Sequence, residues 1–80
     1  MNIHIEFCVK WNYGPEFDRV SSLIRSIDSS IQVSSNQMPP RSGAFEVKVD
    51  EETVFSKFEI GRFPNEAEVR GWIKEWKEYI

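Results

Sequence analysis

The sequence holds a single cysteine among its 80 residues, and that scarcity removes several chemistries at once. An internal disulfide cannot form, so the core must come from packing of aromatic and β-branched side chains. One cysteine and one histidine also fall short of the ligands a structural zinc site requires. Glycine is nearly as scarce: the four residues stand apart from one another, which leaves no glycine-rich cradle for a phosphate group. Positive charge is not in excess either. With a net charge of −3 and scattered Lys and Arg, the chain lacks the clustered cations on which nucleic-acid affinity rests. No apolar run of about 18 residues exists to cross a bilayer, and Met1-Asn2-Ile3-His4-Ile5-Glu6 lacks the order of an export signal. A cytoplasmic protein with no nucleic-acid or membrane partner is the expectation, and one unpaired cysteine suits a reducing compartment.

What is present is enough for one small folded domain. Apolar residues make up 40 % and charged residues 29 %, ordinary values for a globular chain. A domain this short buries only roughly 60–65 % of the surface its unfolded form exposes, so modest stability is expected. Ile3, Ile5 and Phe7 alternate with His4, Glu6 and Cys8, the period of two that marks a half-buried strand. Gly14-Pro15 then breaks the pattern, and Phe17, Val20, Ile24 and Ile27, with Leu23 beside them, predict a helix from about Pro15 to Ile27. Ile31 and Val33 read as a short second strand, and residues 34–43 as a loop. Ala44 to Val49 alternates again, Asp50-Glu51-Glu52 turns the chain, and Thr53 to Phe58 reads as the second arm of an antiparallel hairpin.

After Gly61-Arg62-Phe63-Pro64, Asn65 with Glu68 three residues on forms a variant of the capping box. Val69, Trp72, Ile73, Trp76 and Ile80 follow as the apolar stripe of a helix whose wet side carries Glu66, Arg70, Lys74 and Glu78. Gly71 weakens that helix by roughly 1 kcal/mol relative to alanine, which burial of two tryptophans would offset. The order is β-α-β-β-β-α. Its first part is a βαβ unit with strands one and two parallel, and the hairpin extends the sheet antiparallel into a four-stranded mixed sheet with two helices.

Cys8 is the one side chain suited to redox chemistry, and it lies where the first strand runs into the loop before a helix. Backbone N–H groups at a helix start and a cation such as Lys10 favour thiolate over thiol, and thiolate is the nucleophile. The ordinary alternative is a buried cysteine acting as a small hydrophobe. Trp11, Tyr13 and Phe63 supply aromatic rings that suit partner binding if exposed, or a simple cover for the sheet if not. His4 reads as a surface strand residue, and the carboxylates of Asp50, Glu51 and Glu52 as solvated turn residues.

Phe7-Cys8-Val9-Lys10-Trp11-Asn12-Tyr13, then Gly43-Ala44-Phe45-Glu46-Val47, then Gly61-Arg62-Phe63-Pro64, taken in this order, resemble the selenoprotein W, T and H group of thioredoxin-like proteins, closest to selenoprotein W and its bacterial Rdx relatives. The resemblance spans nearly the whole chain and implies a single thioredoxin-like domain over residues 1–80, of α+β class. It also implies a role in thiol redox chemistry linked to glutathione as co-substrate, with no resident cofactor or metal. Cys8 matches the first cysteine of the group's C-x-x-C or C-x-x-selenocysteine motif. Trp11 stands where the second cysteine or selenocysteine would be, which removes the resolving partner and leaves a monothiol cycle or redox sensing. A non-catalytic interaction module is the alternative reading of the same loss. A third concerns Trp11 itself, since read-through of a UGA selenocysteine codon can insert tryptophan. A monomer is expected, with a Cys8–Cys8 disulfide dimer or a non-covalent dimer as alternatives.

Overall fold

The computed structural model describes residues 1–8, 10, 12–35 and 43–78, with side chains to residue 75. Among the described residues four strands and three helices are laid down in the order β1 (Asn2–Phe7), α1 (Gly14–Ile27), β2 (Gln32–Ser35), β3 (Phe45–Val49), β4 (Glu52–Ser56), α2 (Lys57–Ile60) and α3 (Glu66–Glu78). The strands form one mixed sheet in the spatial order β2-β1-β3-β4. β1 runs parallel to β2, which requires a crossover, and α1 supplies it. β3 is antiparallel to both β1 and β4.

Register follows from the period of two. Ile3, Ile5 and Phe7 on β1 stand opposite Val49, Val47 and Phe45 on β3, and Val47 in turn faces Phe55 on β4. That face is the core. Val20 and Ile24 of α1 and Val69 and Ile73 of α3 pack into the same cluster, so both long helices bury their apolar stripes against one side of the sheet. The opposite face carries His4, Glu6, Glu46 and Lys48, none of them buried. Glu6 faces Glu46 across the strands, a like-charge pair that costs stability. His4 Nε2 at 3.6 Å from Glu6 and the Ser56 hydroxyl donating to Glu46 at 3.3 Å moderate that cost.

Element boundaries follow local chemistry. Pro15 sits in the first turn of α1, where a missing N–H is harmless, and Tyr13 precedes the helix without a side-chain cap. At the start of α3, Asn65 Oδ1 accepts from the Glu68 N–H at 2.8 Å while Glu68 Oε1 accepts from the Asn65 N–H at 3.0 Å. The capping box expected from the sequence is therefore fully made. Glu66 and Arg70 pair at 2.8 Å one helical turn apart on the wet side.

Three expectations need correction. The last strand does not reach Phe58: β4 stops at Ser56, and Lys57–Ile60 forms a single helical turn that buries nothing and ends on Gly61 at φ 85°. A left-handed residue closes a helix at little cost only when it is glycine. β2 begins one residue after Ile31 and takes in Ser34 and Ser35, which pair with His4 and Ile5 although their side chains carry no strand signal. On α3 Trp72 is half-buried rather than buried; the Trp76 side chain and Ile80 lie outside the described residues.

The β3–β4 connection is a two-residue loop, Asp50-Glu51, with Asp50 at φ 51°. Asp50 also clasps the start of β1: its N–H donates to the Asn2 carbonyl at 2.7 Å, and its carboxylate accepts from the Asn2 N–H at 3.0 Å. Between Val47 and Lys48 the pairing shifts by one residue, so Val54 of β4 is an extra residue, a β-bulge on an edge strand.

Candidate functional site

The end of β1 is fixed from three sides. Phe7, its last residue, stacks on Phe17 in the first turn of α1, with ring centroids 4.8 Å apart. The Cys8 N–H donates to the Ala44 carbonyl at 2.9 Å, and the Cys8 carbonyl accepts from the Tyr13 N–H at 3.1 Å. Cys8 thus joins the mouth of α1 to the entry of β3. Gly43, at φ 79° and buried, delivers Ala44 to that contact with a backbone turn that any side chain would strain. Asn12, at φ 60°, turns the chain back toward Tyr13 on the other side; asparagine tolerates that region better than most residues.

The alternation of β1 would put Cys8 on the polar side of the sheet, yet its residue exposure is only 3 %. The strand has ended there. The Tyr13–Cys8 backbone hydrogen bond and the Gly43-Ala44 turn take over from the sheet, and the free thiol belongs to the buried set without joining the main core cluster. The Tyr13 N–H is committed to the Cys8 carbonyl. Lys10, expected to act beside the sulfur, is an exposed turn residue. Trp11, the position of the missing second cysteine, lies outside the described residues.

Tyr13 and Phe63 do come together. Their rings meet edge to face at 4.8 Å, and Phe63 meets Phe45 edge to face at 5.3 Å. Both Tyr13 and Phe63 are half-buried and pack against the core. The Gly61-Arg62-Phe63-Pro64 segment is held in place by α1: Arg19 Nη2 donates to the Pro64 carbonyl at 2.7 Å while its Nε donates to Glu16 at 2.7 Å. Pro64 is fully buried. Arg62 pairs with Glu68 at 2.6 Å. That pairing raises the Arg62 pKa above its ordinary value. The Arg62 hydrogen bond, followed by the Asn65 N–H, holds the Glu68 carboxyl below the usual range.

Sequence reasoning missed Lys57. Its ammonium lies 5.6 Å from the Tyr13 ring centroid and 5.4 Å from that of Phe63, within range of a cation–π interaction with each. Its helix, α2, was itself missed, so no pattern could have brought Lys57 to this loop. Phe58 and Ile60 of the same turn are, among the described residues, the large apolar side chains left exposed, at 47 % and 49 %. His4 is the surface residue expected, sharing a 2.8 Å hydrogen bond with the Ser34 hydroxyl. Among the described residues no three His, Cys, Asp or Glu side chains gather as a metal site, and no helix is long and apolar enough to cross a membrane.

A mixed four-stranded sheet with helices packed on it, β1 leading through a loop into the crossover helix α1, is the thioredoxin-like fold. The Rdx family model matches residues 2–75, and the chain belongs to the Rdx family. Its fold is similar to that of a selenoprotein W-related protein from Vibrio cholerae, with a TM-score of 0.84 over 94 % of each chain at 19 % identity. A protein from Bordetella parapertussis is similar at a TM-score of 0.81, covering 92 % of this chain and 94 % of that one at 14 % identity. Among curated proteins none matches.

Proposed function

We propose that this chain is a thiol redox protein of the selenoprotein W type working through Cys8 alone. The observation that carries the reading is the placement of the only sulfur nucleophile where β1 opens into the loop before α1, within an Rdx-family chain. The Cys8 thiolate attacks one sulfur of a disulfide such as oxidised glutathione; that S–S bond breaks, a thiolate leaves, and a mixed disulfide with Cys8 remains. A second external thiolate then attacks the outer sulfur of the mixed disulfide; the bond to Cys8 breaks, Cys8 leaves as thiolate, and the attacking thiol ends in a new disulfide with the captured group. No cysteine is available to resolve the adduct internally. Burial of Cys8 makes a local opening around it a step in the cycle.

A second reading has its own support in the 3 % exposure of Cys8: an interaction module that keeps the fold without the chemistry. One measurement separates the two. Native protein held in oxidised glutathione is expected to gain one glutathione by intact mass, lost on adding reduced glutathione. If Cys8 gains the adduct only in denaturant, the redox reading is wrong and the interaction module stands.

A further inference from the structure

We propose that the polar face of the sheet is a docking surface for a second copy of this chain, whose charges complement themselves about a two-fold axis. This is independent of the thiol reading of Cys8. α1 and α3 both pack on the side of Val47 and Phe55, and neither covers the opposite face. Two rows of side chains cross that face. Ser34, His4, Lys48 and Thr53 stand side by side on β2, β1, β3 and β4. Glu6, Glu46 and Ser56 form the next row, on β1, β3 and β4. Ser34, Lys48 and Thr53 are exposed, and His4, Glu6 and Glu46 half-buried.

A polar sheet face turned to water is ordinary. Water alone gives no reason to set two carboxylates directly opposite each other at Glu6 and Glu46, which costs stability. A local cost carried on an otherwise consistent sheet points to a use outside the monomer. The neighbouring charges say which. A basic partner would be drawn to the carboxylate row and repelled by Lys48 in the row beside it, and an acidic partner the reverse. A second copy turned about an axis that crosses the strands midway between the rows exchanges one row for the other. It leaves β1 facing β1 and β3 facing β3. Lys48 of each copy then lies over Glu46 of the other, and His4 over Glu6, so every contact is made twice, as an isologous pair requires. The net charge of −3 on each chain opposes the pairing mainly at long range, where salt screens it.

The test is sedimentation equilibrium of the full chain at about 0.15 M salt, from roughly 10 μM to 1 mM protein, with reductant to keep Cys8 from linking copies. A reversible dimer is expected. Lys48→Glu and Glu46→Lys each set like charges face to face, and each should weaken the dimer roughly tenfold or more. The double variant, with the two charges exchanged, should recover most of the lost affinity, which neither misfolding nor an altered net charge would bring about. In the wild type, the amide NMR shifts that move with concentration should lie at His4, Glu6, Ser34, Glu46 and Lys48. The proposal is overturned by a chain that stays monomeric over that range, or by a dimer that both single variants leave unchanged. A double variant no tighter than the singles overturns it too, as do concentration-dependent shifts confined to Phe58 and Ile60.

Discussion

Ser21 shows how much one atom can matter in a core this small. It is 2 % exposed on α1, and its hydroxyl has no hydrogen-bond partner among the described residues. A buried hydroxyl without a partner forfeits its hydration for nothing, at a cost of about 1–3 kcal/mol. Ser21→Ala removes that oxygen, keeps the volume close, and places a better helix former on α1. The variant should be more stable by about 1 kcal/mol, raising the thermal midpoint by roughly 4–8 °C, as scanning calorimetry would show; a lower midpoint would mean that the hydroxyl is satisfied by ordered water. Residue-scale facts of this kind were the least legible from sequence. Cys8 continued the alternation of β1 while a buried thiol stood as the alternative, and Ser21 carried no signal at all, because burial off the regular period is decided by what the rest of the chain brings alongside.

At the scale of the element, two glycines should respond with opposite signs. Neither Gly61 nor Gly71 has an atom within 4 Å of where a Cβ would stand, so crowding does not decide either substitution. Gly71 lies inside α3, where alanine is better by about 1 kcal/mol. Gly61 closes α2 at φ 85°, where alanine costs about 1–2 kcal/mol. Gly71→Ala should therefore raise the urea midpoint and Gly61→Ala lower it. The cap of α3 adds a pH dependence. Because the Glu68 carboxyl sits below its ordinary value, its stabilising effect is present above the unfolded glutamate value of about 4.3 and is lost as pH falls through the lower folded value. Glu68→Gln keeps an acceptor for the Asn65 N–H and removes the charge. Its deficit in urea stability relative to wild type, present at neutral pH, should close on acidification below that range; a gap that persists there would place its origin in the hydrogen bonds alone.

Long elements were readable because period two and period 3.6 both had room to repeat: β1, β3, α1 and α3 appear close to where alternation and the apolar stripes put them. The Asn65 and Glu68 pair was read correctly from spacing alone. A four-residue helix such as α2 is shorter than the period that would reveal it, and serines gave β2 no strand signature beyond Val33. Consequently the arrangement around Cys8 was only half visible. Tyr13 and Phe63 were expected near it, but the ammonium that caps them comes from the element that no periodicity could announce.

For the molecule as a whole, the question is whether Cys8 becomes reachable by a local movement or only when the domain comes apart. The sulfur lies outside the main cluster, at the end of β1, so the opening should be local. Iodoacetamide labelling of native Cys8 should then run at the same rate in Gly71→Ala as in wild type, despite the stabler fold, and should be flat at low urea. A rate that falls in step with global stability would tie exposure to complete unfolding. In that case turnover by this thiol would be too rare to serve a redox cycle, and the thioredoxin-like shape would be kept for its surface.

The irregular step at Val54 bears on how such chains behave in company. β4 is the sheet's outer margin, and an extra residue there throws the spacing of its outward N–H and C=O groups off the regular repeat. A second copy laid alongside would match the donors and acceptors on one side of that step and miss them on the other. The stepped rim is thus a poor template, and crowding many copies together meets resistance to fibre growth along β4 that is written into the backbone itself.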